Sequence, residues 1–225
     1  MIKVIVYIYL EKRNNLWVSA GFTKELRLVC STLPSSSVTS ILQSLFSTLL
    51  SKKIFVVKIP STIISEVYST FGKIYVERYL PSLVNKNFLS TARRILDKLY
   101  AAWEGNRVFF SREEILLSGA TNFAKNVLLL TMKIPKGFVT TYGDLAQLLG
   151  GKRYSRAVAN VLSENPLPLA IPCHRVIYFD GRLGGYSAEG GIRIKKQLLE
   201  REGVRFTLNG RVRKEYIVKL SKLIS

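Results

Sequence analysis

The chain has 225 residues, 48% of them hydrophobic, and carries 34 Lys and Arg against 15 Asp and Glu, a formal net charge of +19. That length buries a substantial core in one large or two small domains, and the charge favours a polyanionic partner because each phosphate contact releases counterions. Two cysteines exclude a disulfide framework, no stretch reads as membrane-spanning or as a signal peptide, and a cytoplasmic protein with free thiols is expected.

Residues 1 to about 33 read as strands. Ile2 to Tyr9 is rich in β-branched and aromatic residues, Asn14-Asn15 is a turn, Leu16 to Phe22 is a second strand and Thr23 to Ser31 holds a third. Cys30 lies in this apolar stretch and reads as a small core hydrophobe. A serine of Ser35-Ser36-Ser37 caps a helix over Val38 to Leu50. Ile54 to Ile59 reads as a strand and Ser61 to Phe71 as a short helix. In Asn87 to Trp103 the residues Phe88, Ala92, Ile95, Leu99 and Trp103 fall at helical spacing. Turn residues between Glu104 and Gly119 mark a boundary. The expectation is an α/β (α+β) protein of two domains: residues 1–110, a mixed α/β domain of structural role, and residues 111–225, mainly helical.

Beyond the boundary, Phe123, Val127, Leu130 and Ile134 share a helical face that Pro135-Lys136-Gly137 ends. Short helices follow over Gly143 to Leu149 and Ser155 to Ser163. Joined by Gly150-Gly151, they form a helix-turn-helix candidate whose second helix, with Ala157 and Ala159, allows close approach to a groove. Leu167 to Pro172 reads as extended, Asp180-Gly181 as a turn, Ile192 to Arg201 as a basic amphipathic helix, and Arg205 to Val218 as a β-hairpin about Asn209-Gly210.

Chemistry concentrates in Ile171-Pro172-Cys173-His174-Arg175-Val176, which holds the chain's one histidine beside a cysteine. A thiol must lose its proton to attack well, and imidazole is matched to taking it near neutral pH. Adjacent side chains on a strand point to opposite faces, so either the chain turns here or the proton passes through a water or another group. The imidazole also needs an acceptor on its far nitrogen. Glu202 is a candidate, because a carboxylate in the last turn of a helix opposes the macrodipole; the bland reading, a solvated Glu beside Lys or Arg, stands equally on helix-end physics. Singly, Tyr142 reads as a core aromatic, Arg156 as a surface charge and Asn165 as a turn-former.

Together these residues resemble the O6-alkylguanine-DNA alkyltransferase family. The resemblance runs from about Ser118 to Val204, through Ile134-Pro135-x-Gly137-x-Val139-x-Thr141-Tyr142-Gly143-x-Leu145-Ala146, Arg156-Ala157-Val158, Asn165-Pro166, the Pro-Cys-His-Arg run, Gly185-Tyr186 and Leu198-Leu199-x-x-Glu202-Gly203. It implies that Cys173 takes an alkyl group from O6 of guanine in DNA, irreversibly and once per molecule. His174, oriented by Glu202, would draw the thiol proton through a water, Asn165 would organise the turn, and Tyr142 would donate a hydrogen bond or proton as guanine leaves. The carbonyls of Cys173 and Val176 would read the exocyclic amine, and Tyr186-Ser187 would close the pocket. Arg156, with Ala157 beside it, would fill the gap left by the extruded base in the minor groove of double-stranded DNA. The resemblance further implies an RNase-H-like first domain, a monomer, no cofactor and no metal. The loop from Tyr186 to Lys195 is about two residues longer than the family pattern, and the tail beyond Val204 lies outside it. A non-catalytic sensor of alkylated DNA is the alternative, against which Cys173 itself argues; a cysteine hydrolase lacks any sign of an oxyanion hole, and a transcription regulator leaves the Cys-His run without a purpose.

Overall fold

The computed structural model describes residues 5–51, 56–60, 76–79 and 86–223. The chain divides into two compact units: residues 1–100 with 109–119, and residues 101–108 with 120–225.

In the first unit, β1 (Ile5–Arg13) and β2 (Leu16–Phe22) form a hairpin. Its two-residue loop, Asn14-Asn15, has both φ angles positive, a conformation Asn tolerates better than most residues. β3 (Leu28–Ser31) pairs antiparallel with β2, while β4 (Val56–Pro60) and β5 (Val76–Tyr79) add in parallel, giving the order β3-β2-β1-β4-β5. Alternation on β1 sorts the two faces. Val6 and Ile8 pack with Val29, Cys30 and the apolar face of α1 (Val38–Ser51), through Ile41, Leu42, Leu45, Phe46 and Leu49. Ser37 caps α1, accepting the Ser40 amide at 3.2 Å. Tyr7, on the other face, meets Phe88 of α2 (Lys86–Trp103) edge-on at 5.6 Å. Cys30 is buried against Gly21, where a Cβ would lie 2.6 Å from its sulfur. Burial pushes this thiol up to about 12, so it is an inert core residue. The expected helix at Ser61 to Phe71 lies outside the described residues.

In the second unit, α3 (Asn122–Thr131), α4 (Tyr142–Leu148) and α5 (Ser155–Ser163) pack together. Thr121 and Thr141 cap the first two, accepting the amides of Ala124 and Asp144. α3 stops three residues short of the periodic pattern, because Pro135 disfavours the α conformation at Ile134; the Ile134 carbonyl is thereby freed and accepts from Arg175 Nη1 at 2.7 Å. β6 (Thr140–Thr141) pairs in parallel with β7 (Val176–Ile177). α6 (Gly191–Arg201) follows, with Leu198 and Leu199 buried. The expected terminal hairpin is shorter than Arg205 to Val218: about the Asn209-Gly210 turn, Thr207 N donates to Arg211 O at 2.8 Å and Arg213 N to Arg205 O at 3.1 Å, with Phe206 and Val212 bridged between them. The chain then turns away, and its backbone pairs with Val139, which donates to Tyr216 O and accepts from Val218 N, both at 2.8 Å. This edge closes a core of Val139, Ile177, Leu183, Leu199, Val204 and Val212. Among the described residues no helix is long and apolar enough to cross a membrane.

Candidate active site

Leu167 to Pro172 is folded rather than extended. Ile171 N donates to Leu167 O at 2.8 Å, and Leu169 adopts a left-handed φ of 72° that leucine rarely takes. Asn165 holds this turn from within. Its Oδ1 accepts the Leu167 amide at 3.0 Å, and its Nδ2 donates to Ile171 O at 2.8 Å and to Cys173 Sγ at 3.2 Å. Cys173 opens a 3₁₀ turn over Cys173–Arg175, so the chain does turn between thiol and imidazole. Both side chains are buried. Burial raises the Cys173 thiol, against the Asn165 hydrogen bond and the charge of Lys195, which favour the thiolate. At rest the sulfur holds its proton, so attack requires a base.

His174 sits with Nε2 2.8 Å from Glu202 Oε1. Glu202, the C-cap of α6, is buried and also accepts from Arg175 Nε at 2.9 Å and Nη2 at 2.8 Å. Burial alone would raise this carboxyl; His174 and Arg175 hold it at about 2 instead. Burial, helped by the charges of Arg175 and Lys195, lowers His174 and outweighs the pull of Glu202, so the imidazole is neutral. Because a carboxylate only accepts, Nε2 carries the hydrogen. The lone pair is then on Nδ1, which is buried without a protein hydrogen-bond partner. A neutral imidazole in a fixed tautomer, its lone pair free in the interior one residue along the chain from a protonated thiol, is an arrangement that can act as a general base.

Tyr142 begins α4, with its hydroxyl against Gly184, where a Cβ would lie 3.3 Å from it. Burial pushes Tyr142 up to about 12, with further contributions from Cys173 and Tyr178; it is a hydrogen-bond donor across the neutral range. Tyr186 hangs from the loop before α6 with its hydroxyl buried near Cys173, and burial followed by that neighbour raises it well above the ordinary tyrosine value. Ser187 beside it is exposed, Arg156 projects from the first turn of α5, and Ala157 is half-buried.

The family model for the DNA-binding domain of 6-O-methylguanine DNA methyltransferase matches residues 122–204. A methylated-DNA–protein-cysteine methyltransferase of Methanothermobacter thermautotrophicus is 42% identical over 112 residues, covering 50% of this chain and 61% of that protein. One from Pyrobaculum aerophilum is 38% identical over 111 residues, covering 45% of this chain and 72% of its own length. The chain belongs to the methylated-DNA–protein-cysteine methyltransferase family. The first relatives are matched over part of their length only, 61% for the M. thermautotrophicus protein and 51% for one from Thermococcus kodakarensis. The crystal structure of the O6-methylguanine-DNA methyltransferase of Pyrococcus kodakaraensis shares the fold at a TM-score of 0.57 and 24% identity, covering 88% of this chain and 99% of its own. A Mycobacterium tuberculosis homologue in complex with DNA superposes at a TM-score of 0.55 and 24% identity, covering 88% of this chain and 92% of its own.

Two residues of this family site escaped the reading of the sequence. Arg175 lies inside the conspicuous run, yet nothing local shows that it grips Glu202 with two nitrogens and Ile134 O with a third. Lys195 reads as one more cation on a basic helix, but it is 1% exposed. Its Nζ donates to Val176 O at 2.7 Å and Leu183 O at 2.6 Å, with Gly185 O at 3.5 Å, and sits 5.8 Å from the centre of the Tyr142 ring. Burial brings Lys195 down to about 8. An isolated apolar-facing Lys in the helical repeat was the available signal. The Val176 carbonyl, expected to read guanine, thus already holds one donor and has its second lone pair left.

Proposed function

We propose that this protein repairs alkylated DNA by direct reversal, transferring the alkyl group from O6 of guanine to Cys173 in a single irreversible turnover. The thiol proton passes through a water to His174 Nδ1, and Glu202, fixed by Arg175, keeps the imidazole in the tautomer that accepts it. The thiolate attacks the O6-bound carbon in line; the S–C bond forms as the C–O bond breaks, and the electron pair goes to O6. Tyr142 donates toward the departing guanine, whose oxyanion regains the proton held by the relay. Asn165 holds the turn that presents Sγ. The chemistry uses no cofactor.

A base atom inside a duplex is out of reach of a buried thiol, so the guanine is extruded, at a cost of a few kcal/mol. α4 and α5 act as a helix-turn-helix laid in the minor groove of double-stranded DNA, with Arg156 filling the gap, Ala157 allowing close approach, the Val176 carbonyl reading the exocyclic amine, and Tyr186-Ser187 closing over the base. The protein works as a monomer. The second unit carries DNA binding and transfer; the first forms an RNase-H-like domain of structural role, a reading supported by the β3-β2-β1-β4-β5 order with its antiparallel and parallel halves.

The observation that carries this reading is the buried Arg175-Glu202-His174 chain ending in a free Nδ1, with Asn165 on the sulfur of Cys173. The test is intact-protein mass after incubation with a duplex containing O6-methylguanine. One added methyl, mapped to the Cys173 peptide and absent in Cys173→Ala, is expected; tight binding without a mass change would make the protein a sensor of alkylated DNA.

A further inference from the structure

Beside the thiol site, the second unit holds a cavity of about 710 Å³ whose lining includes Tyr142, Lys152, Arg156, Phe179, Val218 and Lys219. The helix pair assigned to DNA above supplies Tyr142 to Asp144 at the start of α4 and Lys152 to Ala159 on and before α5. The opposite wall is the turn after β7, with Tyr178 and Phe179, and the carboxy-terminal segment Ile217 to Lys219, which lies beyond the residues matched by the family model.

Phe179 is 84% exposed. Single exposed hydrophobes are ordinary, but this one stands in a concavity, next to a second exposed aromatic, on a backbone held at both sides. Tyr178 N donates to Arg182 O at 2.9 Å and Gly181 N to Tyr178 O at 3.1 Å. Asp180 accepts Arg182 Nε at 2.7 Å, and its carbonyl accepts Arg211 Nη1 at 2.7 Å. The Tyr178 ring leans on Tyr142 at 5.5 Å and lies under the Arg182 guanidinium at 5.5 Å. The turn therefore holds Phe179 outward before any ligand arrives. Three cations, Lys152, Arg156 and Lys219, face the cavity against the single carboxylate of Asp144. An aromatic face inside a cationic groove is the pattern that binds a nucleic-acid strand by base stacking and phosphate contact.

We propose that Phe179 is a base-stacking residue and that this cavity holds the nucleotide adjoining the extruded guanine, its base laid on Phe179 and its phosphates against Lys152 and Lys219. The inference rests on the DNA reading above. Tyr142 and Arg156 line the same cavity, so a strand delivering guanine past them crosses it. The carboxy-terminal segment, anchored to Val139 by two backbone hydrogen bonds and to Thr140 through Thr140 Oγ1 and Val218 O at 2.9 Å, becomes the second bank of the DNA cleft.

The test uses the full chain and an O6-methylguanine duplex, with Cys173→Ala as the parent for affinity so that no transfer intervenes. Adding Phe179→Ala should weaken binding roughly tenfold, whereas Phe179→Trp should bind within about twofold of the parent and its added tryptophan emission should be quenched by the duplex. Adding Lys219→Ala instead should lower the slope of log affinity against log salt by about one. If Phe179→Ala binds as tightly as the parent, or if Phe179→Trp emission is unmoved by a duplex that binds, the stacking role is overturned while the transfer reading stands. If the wild-type chain neither binds the duplex nor gains a methyl, the transfer reading fails and takes this inference with it.

Discussion

Replacing Glu202 by Gln keeps the shape of the side chain and removes the charge at the centre of the relay. In the folded chain His174 and Arg175 hold this carboxyl at about 2, against an ordinary value of 4.5. A folded value below the unfolded one contributes stability that is fully present above about pH 4.5 and is lost as pH falls through about 2. The gap of about 2.5 pH units, at about 1.4 kcal/mol each, makes the contribution about 3 kcal/mol. The variant should therefore be less stable than wild type by about that much at pH 7, in line with the cost of breaking a buried ion pair, and the pH-dependent part of the difference should shrink between pH 4.5 and 2. The chain has two tryptophans, Trp17 in the first unit and Trp103 in the second. Urea unfolding followed by fluorescence in a Trp17→Phe background therefore reads Trp103, on whose ring the Arg201 guanidinium of α6 lies at 4.3 Å. The same substitution takes away the carboxylate that supports the basicity of His174, so transfer at neutral pH should slow by about tenfold to a hundredfold, equivalent to about 1.4–2.7 kcal/mol of barrier, and the pH at which the rate rises should move up. A stability difference constant from pH 7 to pH 2, together with an unchanged rate-versus-pH profile, would refute the relay.

Cys173→Ala should abolish methyl uptake in the mass assay while leaving affinity for the O6-methylguanine duplex within about twofold. Arg156→Ala should slow repair of duplex DNA far more than reaction with a free alkylated base, and equal losses would remove it from base extrusion. Asn165→Ala deletes three hydrogen bonds of the Cys173 turn; urea unfolding should show a loss of about 1–3 kcal/mol, with slower thiol reaction even toward a small alkylating reagent. Lys195 gives a rise with pH as Glu202 does, but in an alkaline window and because its buried charge is disfavoured rather than paired. Its folded value of about 8 lies below the ordinary 10.5, so the unfolded chain binds more protons and stability should rise from pH 8 to 10.5 by about 3 kcal/mol. Lys195→Met should flatten that rise in the same unfolding series.

What the sequence determined by itself is local. The strand run Leu16 to Phe22, the helical spacing of α2, the turn pair Asn14-Asn15 and the small-residue helix Ser155–Ser163 follow from neighbours within a few residues, and each forms where the pattern put it. The Cys-His run was legible for the same reason, since a lone histidine beside a thiol needs no partner from elsewhere to be noticed. The rest was decided by which polar groups meet, some a few residues apart and some far along the chain. Ile134 leaves α3 to offer its carbonyl to Arg175, 41 residues on. Leu167 to Pro172 curls around Asn165 instead of extending. The tail ends its own hairpin at Arg213 and pairs next with Val139. Lys195 is buried because the carbonyls of Val176, Leu183 and Gly185 converge on one point, and Glu202 is charged in the interior because Arg175 and His174 arrive there together. Periodicity records which face of an element is buried; it carries no record of which polar atoms meet across the fold, and that meeting gives the cysteine and the histidine the surroundings the proposed transfer requires.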